Sequence, residues 1–169
     1  RLFGDTHRAD RELTKALILA RKASNLWCEC RAEAAQALAS SADDAARAIE
    51  ALETAAERAR VAEESAVEAH VRTALGAVLL EQGDVERAKA ALNMAVALRR
   101  TLPGPLLLLA PLAHLADLQQ RSADLSAAMR TVEEMLYILG ERRVGGVDDP
   151  VTIYAIILQV LAATGDARV

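Results

Sequence analysis

Five aspartates set the rhythm of the chain: Asp5, Asp44, Asp84, Asp124 and Asp166 stand 39, 40, 40 and 42 residues apart. Behind each of the first four, the same apolar places return. Four residues on stand Ala9, Ala48, Ala88 and Ala128; eight on, Leu13, Leu52, Leu92 and Val132; eleven on, Ala16, Ala55, Ala95 and Met135. Offsets of 4, 8 and 11 trace one face of an α-helix. Glycine precedes the aspartate at Gly4, Gly83 and Gly165, while Asp43 and Ala123 hold that place elsewhere. A glycine there ends one helix, and the aspartate caps the free N–H groups of the next.

A second apolar pattern lies upstream of each bend. Nine residues before Asp84, Asp124 and Asp166 come Leu75, Leu115 and Ile157; five before come Leu79, Gln119 and Leu161. The corresponding Ala35 and Ala39 match more weakly. The unit is therefore helix A, tight turn, helix B, and the chain reads as one all-α repeat domain of about eight helices with no sheet. Residues 5–22 read as helix B of a broken unit, 24–62, 64–102 and 104–140 as full pairs, and 150–164 as a lone helix A. Both ends fall inside a unit and the chain opens on Arg1 rather than Met, so a segment of a longer protein is expected.

Composition narrows this further. Apolar residues make up 53% of the chain but aromatics only 2%, so the core must be built from Ala, Leu, Val and Ile. Such small, strong helix formers favour closely approaching helices. A net charge of -4, with no Lys/Arg cluster beyond a pair, argues against direct nucleic-acid binding. The apolar runs Leu106–Ala113 and Val151–Ala163 are too short or too interrupted to span a membrane. Cys28 and Cys30 point about 200° apart on a helix, so they cannot share a metal or a disulfide comfortably. As unpaired small hydrophobes they fit a cytoplasmic setting.

The stretch Leu75-Gly76…Leu79…Gly83-Asp84…Ala88…Leu92…Ala95 resembles a tetratricopeptide repeat (TPR). Leu-Gly at the seventh and eighth places is that family's signature; the small eighth residue, with Ala88 and Ala95, lets helix B lie close on helix A. Ala116 and Ala128 repeat the pattern, with Met135 departing from small. The period of about 40 rather than 34 makes each helix longer. Long-period repeats of this kind are similar to those in large bacterial ATP-dependent regulators like the maltose-operon activator. HEAT repeats share the length, but their Pro, Asp and Arg pattern is not seen.

The resemblance implies a right-handed superhelical solenoid whose A helices line a concave groove for a protein or peptide. Its groove positions fall on Cys30, Glu33, Ala37 and Ser41; on His70, Thr73, Ala77 and Glu81; on Ala113, Asp117, Gln120 and Arg121; and on Thr152, Ala155 and Gln159. Relatives that grip a C-terminal carboxylate use Lys and Asn there, and both are missing. The slightly acidic, small-residue groove suits a peptide with apolar anchors and a basic residue. Partner-binding candidates are therefore Glu33, His70, Thr73, Glu81, Asp117, Gln120, Arg121 and Gln159.

The bland readings stand beside these. Asp117 and Arg121 are spaced as a surface ion pair, and the Asp-x-x-Arg recurrences at Asp5, Asp44 and Asp84 as caps with a local charge contact. His7, His70 and His114 carry no zinc spacing, and His114 falls near the helix A/B packing face as a core histidine. Trp27 is a binding anchor or a packing residue between the broken unit and the next helix. Pro111 either kinks a helix or marks a late start. No catalytic, cofactor-binding or metal-binding motif is present, so an enzyme is not expected and no cofactor is called for. Two functional classes remain: an interaction or effector-binding module of a larger bacterial regulatory protein, or a structural segment that spaces or dimerises other domains. The last helix, apolar nearly all round, predicts an exposed face that pairs with a second copy.

Overall fold

A computed structural model describes residues 6–140 and 149–166, with side chains described from Arg11 onward. Asp5 and the side chain of His7 lie outside the described residues, as does 141–148 of the loop before Pro150. The elements are α1 (Thr6–Lys22), α2 (Leu26–Ser40), α3 (Ala45–Val61), α4 (Ser65–Glu81), α5 (Val85–Arg100), α6 (Leu109–Arg121), α7 (Leu125–Gly140) and α8 (Pro150–Thr164). A 3-10 turn, Pro105–Leu108, leads into α6. The described residues contain no strand, and no helix among them is long and apolar enough to cross a membrane.

Capping explains where the helices begin. Asp44, Asp84 and Asp124 accept the backbone N–H of the residue three places on, at 3.1, 3.2 and 2.9 Å. Asn25 and Asp149 do the same for α2 and α8. The bends themselves share one geometry. At Gly83 the chain turns through φ 77°, Gly83 N–H donates to the Leu80 carbonyl, and Asp84 N–H donates to the Leu79 carbonyl. This is the Schellman arrangement, and it recurs at Ser24, Glu63, Ala123 and Gly165. Ser24, Glu63 and Ala123 adopt the left-handed conformation without being glycine. The bend before α3 differs: Asp43 is not left-handed, and both Asp43 and Asp44 donate to the Ser40 carbonyl.

The expected inner face is dry. Ala88, Leu92 and Ala95 are each 0% exposed, and Ala48, Leu52, Ala55, Ala128, Val132 and Met135 are buried with them. Gly76 shows why the small residue matters. A Cβ built there would lie 2.5 Å from Leu92 Cγ, closer than any unstrained contact, so α5 rests against bare α4 backbone. On α1 the equivalent Leu13 is only half-buried and Ala16 is exposed, because α1 touches α2 alone among the described helices.

Each helix packs on its chain neighbours, and the short bends force those neighbours to run antiparallel. In addition α2 touches α4, α4 touches α6, and α6 touches α8, whereas no two odd-numbered helices touch among the described residues. The even-numbered helices thus form one continuous file. Pro111 is the third residue of α6, so it marks a late helix start rather than a kink: in the first turn its missing N–H costs no hydrogen bond.

Candidate functional site: a groove across α4, α6 and α8

Because the even-numbered helices lie side by side, residues at corresponding places on α4, α6 and α8 share a surface. There they line a groove of about 320 Å³. Ala77, Leu80 and Glu81 come from α4; His114, Asp117 and Arg121 from α6; Val151, Thr152, Ala155, Ile156 and Gln159 from α8. Four sequence candidates, Glu81, Asp117, Arg121 and Gln159, therefore meet in one place. Leu80 and Ile156 give the groove an apolar floor, and its rim is polar.

The charges on that rim are partly committed. Arg121 lies across Asp117 as an ion pair at 2.8 Å, with a second contact from Nε at 3.0 Å. Asp149 caps α8 and accepts the Thr152 hydroxyl at 2.6 Å. Glu81 makes no ion pair among the described residues, and its side chain is solvent-exposed. His114 is half-buried among these residues and lines the groove. Burial pushes the imidazole pKa below its ordinary value; Asp117, Asp149 and Glu81 pull it partly back, and Arg121 opposes them.

The other four candidates lie elsewhere. His70 and Thr73 line a separate cavity of about 30 Å³ with Arg99, Leu106, Leu107, Ala110 and Pro111, room for about one water. Thr73 is buried and donates to the Ala69 carbonyl at 2.8 Å. Gln120 is half-buried on α6, with its Oε1 buried and unbonded among the described residues, but it is not on the groove wall. Glu33 belongs to a charge network: Arg58 of α3 contacts Glu33 at 3.0 Å and Glu29 at 2.6 Å, and Arg21 of α1 reaches both from the other side.

Several expectations are corrected. Cys30, Ser41 and Ala113 are core residues rather than groove lining, whereas Ala37, though buried, lines with Glu33 a second groove of about 390 Å³ between α2 and α3. Cys30 sits beneath the charge network, where burial raises its thiol pKa. His114, expected at the helix A/B packing face, faces the groove because α8 lies over α6 on that side. Trp27 does not pack between units: it is 47% exposed, with the Arg31 guanidinium 4.6 Å above its ring. Cys28 is exposed and Cys30 buried, as helical spacing requires. Among the described residues no three His, Cys, Asp or Glu side chains converge as a metal set.

The fold is similar to that of a solved structure. It superposes on the crystal structure of BtubC (BKLC) from P. vanneervenii with a TM-score of 0.72 at 20% identity, over 98% of this chain and 68% of that one. At that identity the likeness shows a shared helical fold and nothing of activity. No family model matches the chain, and no curated protein matches it.

Proposed function

We propose that this chain is a TPR-like interaction module, a right-handed solenoid of helix pairs, and that it holds a protein or peptide ligand in the groove formed by α4, α6 and α8. The observation that carries the reading is the convergence of Glu81, Asp117, Arg121 and Gln159, from three successive A helices, on a surface with an apolar floor. The Leu75-Gly76 signature supports the family assignment through its close contact with Leu92. A partner laid across three helices meets alternating apolar and polar contacts, the composition of a peptide-binding groove. The long repeat period favours a larger bacterial regulatory or signalling protein as the parent, working in the cytoplasm without catalysis of its own.

A second reading has its own observation. Val151, Tyr154 and Leu158 of α8 are 77%, 42% and 52% exposed and fall on one helical face, a surface suited to self-association. Paired variants separate the two. A groove variant, Glu81→Gln with Gln159→Ala, is compared with an outer-face variant, Tyr154→Glu with Leu158→Glu. Loss of an affinity-captured partner in the first and retention in the second supports the groove. Partner binding untouched by the first, with a sedimentation mass falling from dimer to monomer in the second, supports self-association instead.

A further inference from the structure

We infer that the solenoid is jointed between α5 and α6: the block of α6, α7 and α8 turns against the block of α1 to α5 about Gly104, and the Arg100–Glu134 ion pair holds the joint closed. This goes beyond the groove reading and does not depend on it.

Packing is the first ground. Within the file of even-numbered helices, α4 meets α6 more sparingly than α2 meets α4 or α6 meets α8. Likewise α6 meets α5 less fully than α4 meets α3. The cause is the late start of α6. It has 13 residues where α4 has 17, and the 3-10 turn Pro105–Leu108 stands where a first helical turn would pack. The cavity of about 30 Å³ beside Thr73, Leu106, Ala110 and Pro111 lies in this same seam. Close contact is what makes a packed interior stiff, so a seam with a void and sparse contacts yields before its neighbours.

The connection supplies the second ground. The bend between α3 and α4 is tied to α3 throughout, since Ala62, Glu63 and Glu64 all donate their N–H groups to its last carbonyls. After α5 only Thr101 and Leu102 do so, and among the described residues no backbone hydrogen bond returns to α5 from beyond Leu102. Pro103 and Pro105 have fixed φ and no N–H to give. Gly104 stands between them at φ 94°, a conformation that glycine enters without penalty. Hinges are a few connecting residues of this kind, which absorb a backbone rotation while the helices on either side stay intact.

The third ground is the latch. No two odd-numbered helices pack together among the described residues, yet α5 is tied to α7 by Arg100, whose Nη2 contacts both Glu134 oxygens at 2.9 and 2.8 Å. The neighbouring seam has a counterpart, Arg87 on Glu53 at 2.8 Å, but the fuller α3–α4 packing also closes that seam. At the joint the ion pair carries a larger share of the closure. The consequence reaches the groove: α4 supplies one wall and α6 with α8 the other, so a turn at this joint moves Glu81 relative to Asp117 and Gln159.

The test measures distances by double electron–electron resonance in the full chain, with Cys28 and Cys30 replaced by serine and alanine. Nitroxides at Met94→Cys and Tyr137→Cys, both exposed, straddle the joint. Thr54→Cys with Met94→Cys spans the neighbouring seam as the control. The first pair should show two distances, the longer one minor. Glu134→Gln should raise the longer population about threefold to fivefold, the worth of one exposed ion pair. Molar salt should do the same by screening, while the control pair keeps a single distance. Exchanging the charges, Arg100→Glu with Glu134→Arg, should restore the starting populations. A single α5–α7 distance that ignores both Glu134→Gln and salt overturns the joint. Equal broadening of the control pair in salt overturns it too, because the solenoid would then be evenly compliant. An exchange variant that stays open overturns the latch.

Discussion

The pairs α2–α3 and α4–α5 are consecutive antiparallel helix pairs, yet they are joined differently. In α4–α5 the buried side chains are aliphatic, Val67, Val71, Leu75, Val78 and Leu79 on α4 with Leu92 and Val96 on α5, and Gly76 admits Leu92 to the backbone. In α2–α3 the inner side chains are small, Cys30, Ala34 and Ala37, and Gln36 stands where α4 has Gly76. There the seam is crossed by Arg58 on Glu29 and Glu33, with Arg21 tying in α1. One backbone arrangement therefore tolerates two kinds of adhesion, and what it requires is the bend rather than a particular core.

Five substitutions probe that contrast, the largest expected effect first. Leu92→Ala should cost about 2–5 kcal/mol in urea unfolding, since the side chain is fully buried against a backbone that cannot collapse onto the cavity. Gly76→Ala should lose about 1 kcal/mol, overpacking against Leu92 outweighing the better helix propensity of alanine. In the Leu92→Ala background the same change should instead gain about 1 kcal/mol. A Gly76→Ala effect of unchanged sign would show that the close approach is not the constraint.

Arg58→Met should cost about 1–2 kcal/mol, above an exposed pair and below a buried one, because Glu29 and Glu33 are only 14% and 16% exposed. The loss should narrow in molar salt, while that of Leu92→Ala should not. Asp84→Ala removes a helix cap and should cost about 1 kcal/mol by thermal or urea unfolding. Ala123→Gly should raise stability by about 0.5–1 kcal/mol, since Ala123 holds φ 59°, a conformation glycine adopts without penalty.

The capped bends and the inner face were legible because they depend on neighbours in sequence. Asp84, Gly83 and the series Ala88, Leu92, Ala95 report their own turn and their own helix face. At Ser24, Glu63 and Ala123 the bend was legible but the left-handed residue was not, since no glycine marks it and local hydrogen bonds to carbonyls three and five residues back accompany it. Half of the candidate site was legible for a related reason. Glu81, Asp117, Arg121 and Gln159 occupy equivalent places on helices that lie in file. Glu33 has an equivalent place too, but Arg21 and Arg58 reach it from two other helices, and no repeat period encodes that. His114 was misplaced because its surroundings are set by α8, which follows the longest loop and whose position over α6 is a tertiary fact.

Everything functional here rests on α4, α6 and α8 forming one surface, and a spin label measures that directly. With Cys28 and Cys30 replaced by serine and alanine, a nitroxide is attached at Glu81→Cys. Strong relaxation of the Asp117, Arg121, Thr152 and Gln159 amides, with the Tyr137 amide on α7 spared, is the predicted result. Sharp, unperturbed Thr152 and Gln159 signals beside the label would mean that the three helices do not share a groove.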